Sequence, residues 1–92
     1  MIKGFAHKGL QAFFETGSRA GIQPQHAAKL RRQLQVLERA QKPEHMDVPG
    51  WKLHSLKGEL KGHWSVWVNG NDRMTFKFEG VNVILVDYWN YH

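Results

Sequence analysis

Lys57, Arg73, Tyr91 and His92, with His54 just upstream of Lys57, are the side chains of this 92-residue chain best suited to chemistry. Together they provide the groups needed to break a phosphodiester that carries its own neighbouring hydroxyl. RNA meets that description, because the 2′-hydroxyl is the nucleophile and no metal is required. The protein must take one proton, return another to the 5′-oxygen, and hold fixed positive charge against the transition state. His92 can act as acid or base, since imidazole titrates near neutrality. Lys57 can serve as a base if neighbouring cations and desolvation lower its pKa, or as a cation only. Arg73 offers a planar fork for phosphate oxygens, and Tyr91 can stack on a base or donate a proton. Each also has a plainer reading. A basic residue on a strand's polar face is ordinarily solvated, Lys57 before Gly58 is an ordinary turn lysine, and a terminal Tyr-His is ordinarily a frayed tail.

Other chemistries fit less well. The six histidines show no close paired spacing of the kind that binds zinc. Gly4 and Gly9 are isolated and make no phosphate-binding loop, no Ser-His-Asp spacing is evident, and the acids are too scattered for a glycosidase pair. No metal or cofactor is called for. The chain has no cysteine, which excludes disulfides and thiolate chemistry and fits a reducing cytoplasm. No window approaches the roughly 18 apolar residues of a membrane span, and Met1–Phe5 leads into polar residues rather than a signal-peptide core. A cytoplasmic protein with no membrane partner is expected.

The formal charge of +5 is unevenly spread. Residues 1–42 hold eight Lys/Arg against Glu15 and Glu38, a net of +6, whereas residues 43–92 hold five against six acids, a net of −1. Such a basic half suits a polyanion, with nucleic acid first and an acidic protein second.

The elements that must position these groups are legible as patterns within a single domain spanning 1–92. Met1–Phe5 alternates and could form an edge strand. Leu10, Phe13 and Phe14 share a helical face that Gly17 would cap. Pro24 suits the first turn of a second helix, in which Ala27, Leu30, Leu34, Leu37 and Ala40 form the buried stripe. Lys29, Arg31, Arg32, Gln33, Gln35, Glu38 and Arg39 fill its other faces. Pro43 stops it, and a loop runs through Pro49-Gly50. Strands are predicted at Trp51–Leu56, from Trp64 to Asn69, from Arg73 to Phe78 and at Val81–Val86, with Asn69-Gly70-Asn71-Asp72 as the hairpin turn. The last of these is nearly all apolar and is expected to be buried on both faces, in mid-sheet. Trp64 and Trp67 fall on opposite strand faces, one for the core and one for stacking or contact. The fold class is therefore α+β: an N-terminal strand, two helices, then a mainly antiparallel sheet with the helices on one face. The other face carries Arg73 and Lys77, and the function is expected there.

The ordered set of these residues resembles the RelE/ParE superfamily of toxins, most closely its HigB branch. The opening Met1-Ile2-Lys3-Gly4-Phe5 with His7-Lys8-Gly9-Leu10 is similar to the HigB start. Lys52-Leu53-His54-Ser55-Leu56-Lys57-Gly58 resembles its central motif. Gly62, Trp64-Ser65, Val68, Asn69 and Arg73-Met74-Thr75-Phe76 resemble the strand pair, and Tyr91-His92 the ending. The resemblance implies a compact fold of the microbial-ribonuclease type. It further implies a metal-independent mRNA endonuclease acting in the ribosomal A site, paired with a HigA-like helix-turn-helix antitoxin with which it binds operator DNA. It places Lys57, Arg73, Tyr91 and His92 in the catalytic set and His54 and Asn71 among the RNA-binding positions, where Lys77 joins them on the basic face.

Two departures stand out. Relatives often carry a second arginine in the strand that here reads Val66-Trp67-Val68-Asn69, and often have Asp before Tyr-His where this chain has Asn90. Either could slow the reaction or shift codon preference. The alternatives are a ParE-like inhibitor of DNA gyrase without nuclease activity, which the terminal Tyr-His argues against, and a weakened module that keeps antitoxin binding.

Overall fold

The computed structural model describes residues 1–90. Two helices precede a four-stranded sheet: α1 (Lys8–Thr16), α2 (Ala27–Arg39), β1 (His54–Ser55), β2 (His63–Asn69), β3 (Asp72–Glu79) and β4 (Asn82–Asn90). The sheet order follows the chain, β1-β2-β3-β4, and every neighbouring pair is antiparallel. This is the α+β order read from the pattern.

Each helix begins and ends for a local reason. The His7 imidazole accepts the Leu10 amide through Nδ1 at 2.9 Å, taking up one of the free N–H groups at the start of α1. Gly17, at φ 81°, closes the helix with its own N–H on the Phe13 carbonyl, a left-handed cap that suits glycine. Gly9 and Gly21 touch so closely that a Cβ on either would lie 3.0 Å from the other's Cα. Two glycines thus let α1 pack directly on the turn after it. Pro24 opens a short 3-10 turn that leads into α2.

Ala27, Leu30, Leu34, Leu37 and Ala40 are all at most 3 % exposed, as their spacing requires. They join Leu10 and Phe13 of α1 and Val66, Val68, Met74, Phe76, Val83, Val86 and Tyr88 of the sheet in one cluster. Arg31, Arg32 and Arg39 remain on the exposed side of α2. Gln33 departs from the expected solvent face. It is fully buried and donates Nε2 to the Trp67 carbonyl at 2.9 Å, linking α2 to the bulged end of β2.

The expected strand at Trp51–Leu56 shortens to His54–Ser55, because Trp51 and Leu56 turn into the interior. The N-terminal segment does not form a full strand. It makes two parallel bridges to β4, Ile2 with Val83 and Phe5 with Val86. The Ile2 amide also donates to Glu38 Oε1 at 2.6 Å.

β4 is therefore the last strand of the sheet rather than a central one, with the N-terminal segment along its outer edge. The expectation of burial on both faces fails at Val81 and Leu85, which are 57 % and 43 % exposed. Leu85 lies in a bulge: Thr75 pairs with Asp87 but Lys77 with Ile84, leaving an extra residue on β4. Leu85 takes φ 54° there, a left-handed conformation unusual for a leucine. Periodicity could not reveal this, because an apolar run looks the same with or without a bulge.

Candidate active site on the sheet face opposite the helices

Met74 and Phe76 point to the helices, so the odd-numbered residues of β3 face the other way. Register then sets the rows of the candidate site. Trp67, Arg73 and Trp89 form one row across β2, β3 and β4. His54, Ser65, Thr75 and Asp87 form the next, across all four strands. His63, Lys77 and Ile84 form the third.

Arg73 sits beside the hairpin turn, and its Nη1 donates to the carbonyls of Gly70 at 2.9 Å and Asp72 at 3.0 Å. Trp67 Nε1 donates to the same Gly70 oxygen at 2.9 Å. Gly70 takes φ 53°, which lets its carbonyl receive both groups. The guanidinium is thus fixed through one nitrogen, and among the described residues Nε and Nη2 have no hydrogen-bond acceptor. Asn71 is exposed at the tip of the same turn.

His54 is exposed at the middle row, its Nδ1 3.1 Å from the Lys52 carbonyl. Leu56 still donates to the His63 carbonyl, so Lys57 leaves the sheet at the His63 end. Lys57 is exposed, in extended backbone at the head of the Gly58–Leu60 turn. Lys77 is at that end too: a Cβ on Gly62 would lie 3.5 Å from its Cε. The structure therefore does not gather Lys57 and Arg73 at one point. They stand at opposite ends of the face, four residues apart along β2, or roughly 13 Å of strand. Tyr91 and His92 lie outside the described residues.

Between the two ends the face is partly covered. Ser65 and Thr75 are at most 2 % exposed. Trp89 lies over Thr75 and donates Nε1 to its Oγ1 at 3.1 Å. Ala6, Leu60, His63, Thr75, Leu85, Asp87 and Trp89 line a cavity of about 190 Å³. His63 Nδ1, in the cavity wall, and Ser65 Oγ, in the middle row, are buried without a hydrogen-bond partner among the described residues.

Three features were not read from the sequence. Trp67 was one of two stacking candidates, but its ring carries Lys29 Nζ at 4.1 Å and Lys52 Nζ at 5.0 Å from the centroid. Burial, and then the Lys52 charge, push the Lys29 ammonium below its ordinary pKa. Trp64 packs against the core, as one of the pair had to. Trp89, beside Arg73, is the indole that sequence reasoning missed. Finally, His26 is 1 % exposed, with Nδ1 2.5 Å from the Tyr88 hydroxyl and Nε2 3.6 Å from Asp72 Oδ2. Burial raises the pKa of Tyr88, so its hydroxyl stays protonated in the interior. Residues 26, 72 and 88 are far apart in sequence, and only the folded register joins them.

A family model described as RelE-like toxin of type II toxin–antitoxin system HigB matches residues 3–92. This chain belongs to the HigB-like toxin family. As a HigB-like toxin it belongs to a type II system and has an antitoxin partner. It is similar to Endoribonuclease HigB of Proteus vulgaris, 37 % identical over 92 residues and covering the whole of both chains. The HigB-like toxin is thus an endoribonuclease homologue. Among the described residues, no helix is long and apolar enough to cross a membrane.

Proposed function

We propose that this HigB-like toxin cuts translated mRNA in the ribosomal A site, through attack of the 2′-hydroxyl and without a metal. Lys57, Arg73, Tyr91 and His92 form the catalytic set, and His54, Asn71 and Lys77 bind the RNA. Arg73 meets the phosphate undergoing attack, and its clamp on Gly70 means that little side-chain entropy is lost on binding. His92 takes and returns the protons, and Tyr91 holds a base or donates a proton, while Lys57, at the other end of the face from Arg73, serves as a cation. Lys77 and Lys57 neutralise phosphates at the far end of the face, and His54 lies between.

The observation that carries this reading is the Arg73 row. A guanidinium held through one nitrogen lies in one row with two indoles, Trp89 on β4 and Trp67, whose ring also carries Lys29 and Lys52. Cation and aromatic side by side are what an unstacked, negatively charged strand needs. The spread from Arg73 to Lys57 suits an extended substrate more than a compact one. The likeness to an endoribonuclease supports the same chemistry. A HigA-like helix-turn-helix antitoxin would neutralise the toxin in the cytoplasm, and their complex would bind operator DNA.

The test is a toeprint on ribosomes carrying a defined message, with purified toxin added. Breaks within the A-site codon are expected, and chelator-treated, dialysed toxin should cut equally well. An intact message at toxin concentrations that arrest growth would refute the reading.

A further inference from the structure

Asp72 has no part in the catalytic set, yet its contacts converge on the site. Its Oδ1 lies 3.4 Å from Asn90 Nδ2, its Oδ2 3.6 Å from His26 Nε2, and its carbonyl accepts Arg73 Nη1. The side chain is only 14 % exposed, and His26 behind it is itself held by the Tyr88 hydroxyl. Asp72 and Asn90 are register partners, next to the Arg73–Trp89 pair. A carboxylate so enclosed has little freedom to move.

We propose that Asp72 is a positioning residue of the cleavage site. Its carboxylate fixes the end of β4 through the Asn90 amide, and its carbonyl ties that end to the Arg73 guanidinium. The inference rests on the reading of Lys57, Arg73, Tyr91 and His92 as the catalytic set.

The pairing is chemically selective. An amide at position 90 donates to the carboxylate across the ladder, whereas a second carboxylate there would meet a like charge on its strand neighbour. A neutral residue 90 and an acidic residue 72 are therefore a matched pair. The acid comes from β3, and the buried imidazole of His26 lies 3.6 Å behind it. Asp87, the other acid near the end of β4, faces the middle row and bonds its Oδ1 to the Tyr88 amide at 2.8 Å. It is directed at the backbone, not at the strand end.

Single-turnover cleavage on programmed ribosomes tests this with Asp72→Asn, Asn90→Ala, the exchanged pair Asp72→Asn/Asn90→Asp, and Arg73→Ala. Asp72→Asn and Asn90→Ala are expected to lower the rate constant on the order of ten- to a hundredfold, with KM unchanged. The Asn90→Ala protein should keep its melting temperature, because that side chain is exposed. The exchanged pair should recover most of the rate, which a merely structural role for Asp72 would not produce. Asn90→Ala at the wild-type rate overturns the proposal even if Asp72→Asn does not fold, as does an exchanged pair no faster than Asp72→Asn. Arg73→Ala at full rate overturns the catalytic set and this proposal with it. Loss in Arg73→Ala alongside full activity in Asn90→Ala overturns the role of Asp72 alone.

Discussion

Replacing Tyr88 by Phe isolates the buried contact that joins the helical layer to the sheet. The change removes one oxygen and keeps the ring, which packs at 87° to His26 and 51° to His7. What is lost is the hydroxyl 2.5 Å from His26 Nδ1, in a site where Tyr88 and His26 are 7 % and 1 % exposed. Water cannot easily replace it, so the imidazole nitrogen is left without its partner at a cost of about 1–3 kcal/mol. For a domain of this size each kcal/mol moves the melting temperature by about 4–8 °C. A fall of roughly 4–24 °C is expected by circular dichroism, with an unchanged urea m-value. The difference should also depend on pH. Burial raises the folded pKa of Tyr88 above its ordinary value near 10. The stabilisation is therefore complete below that value and lost as pH rises through the raised folded pKa. The gap between wild type and Tyr88→Phe should narrow above about pH 10. A melting temperature unchanged at pH 7, or a gap that widens in alkali, would refute the argument.

Lys57→Ala, Arg73→Ala and His92→Gln should each relieve growth arrest and cut cleavage by roughly 10²-fold or more; three fully toxic variants would show that the set is misassigned. Gly9→Ala should destabilise by about 1–3 kcal/mol, since its Cβ would meet Gly21 and the His7 ring at 3.0 Å. Denaturant unfolding measures this, and an unchanged midpoint would mean the turn can retreat. Leu85→Gly should be neutral or stabilising by up to about 1 kcal/mol, because a left-handed leucine is replaced by a residue without that strain. A clear loss of stability would show that the half-exposed side chain matters more than its backbone.

Most of the architecture was legible because it follows from periodic burial. The α2 stripe, the Gly17 cap, the Gly70 turn and the inward Met74 and Phe76 all express local rules that a linear pattern carries. The departures share a cause. Gln33 is buried because a carbonyl at the bulged end of β2 needs a donor, and Leu85 is exposed because a bulge rotates it out. Neither need is written near the residue it affects. The site divides in the same way. Side-chain chemistry singled out Arg73, Lys57 and His54, and strand alternation put Arg73 and Lys77 on the face opposite Met74 and Phe76. That Trp89 flanks Arg73, that lysines occupy the Trp67 ring, and that Asp72 lies between His26 and Asn90 all depend on register. The spacing of the residues contains no trace of it.

The parallel bridges between the N-terminal segment and β4 also bear on how the molecule is made. Ile2 and Val83 are eighty-one positions apart, so their pairing has among the highest loop-closure costs in the fold. Contacts of such separation form late in folding, after the helices and the β2–β3 hairpin can form locally. Until they close, the outer edge of β4 is an unpaired row of N–H and C=O groups, open to a strand from another molecule. A shortened N-terminus would therefore show itself first as association during refolding, with yield falling as protein concentration rises, before any loss at the cleavage site.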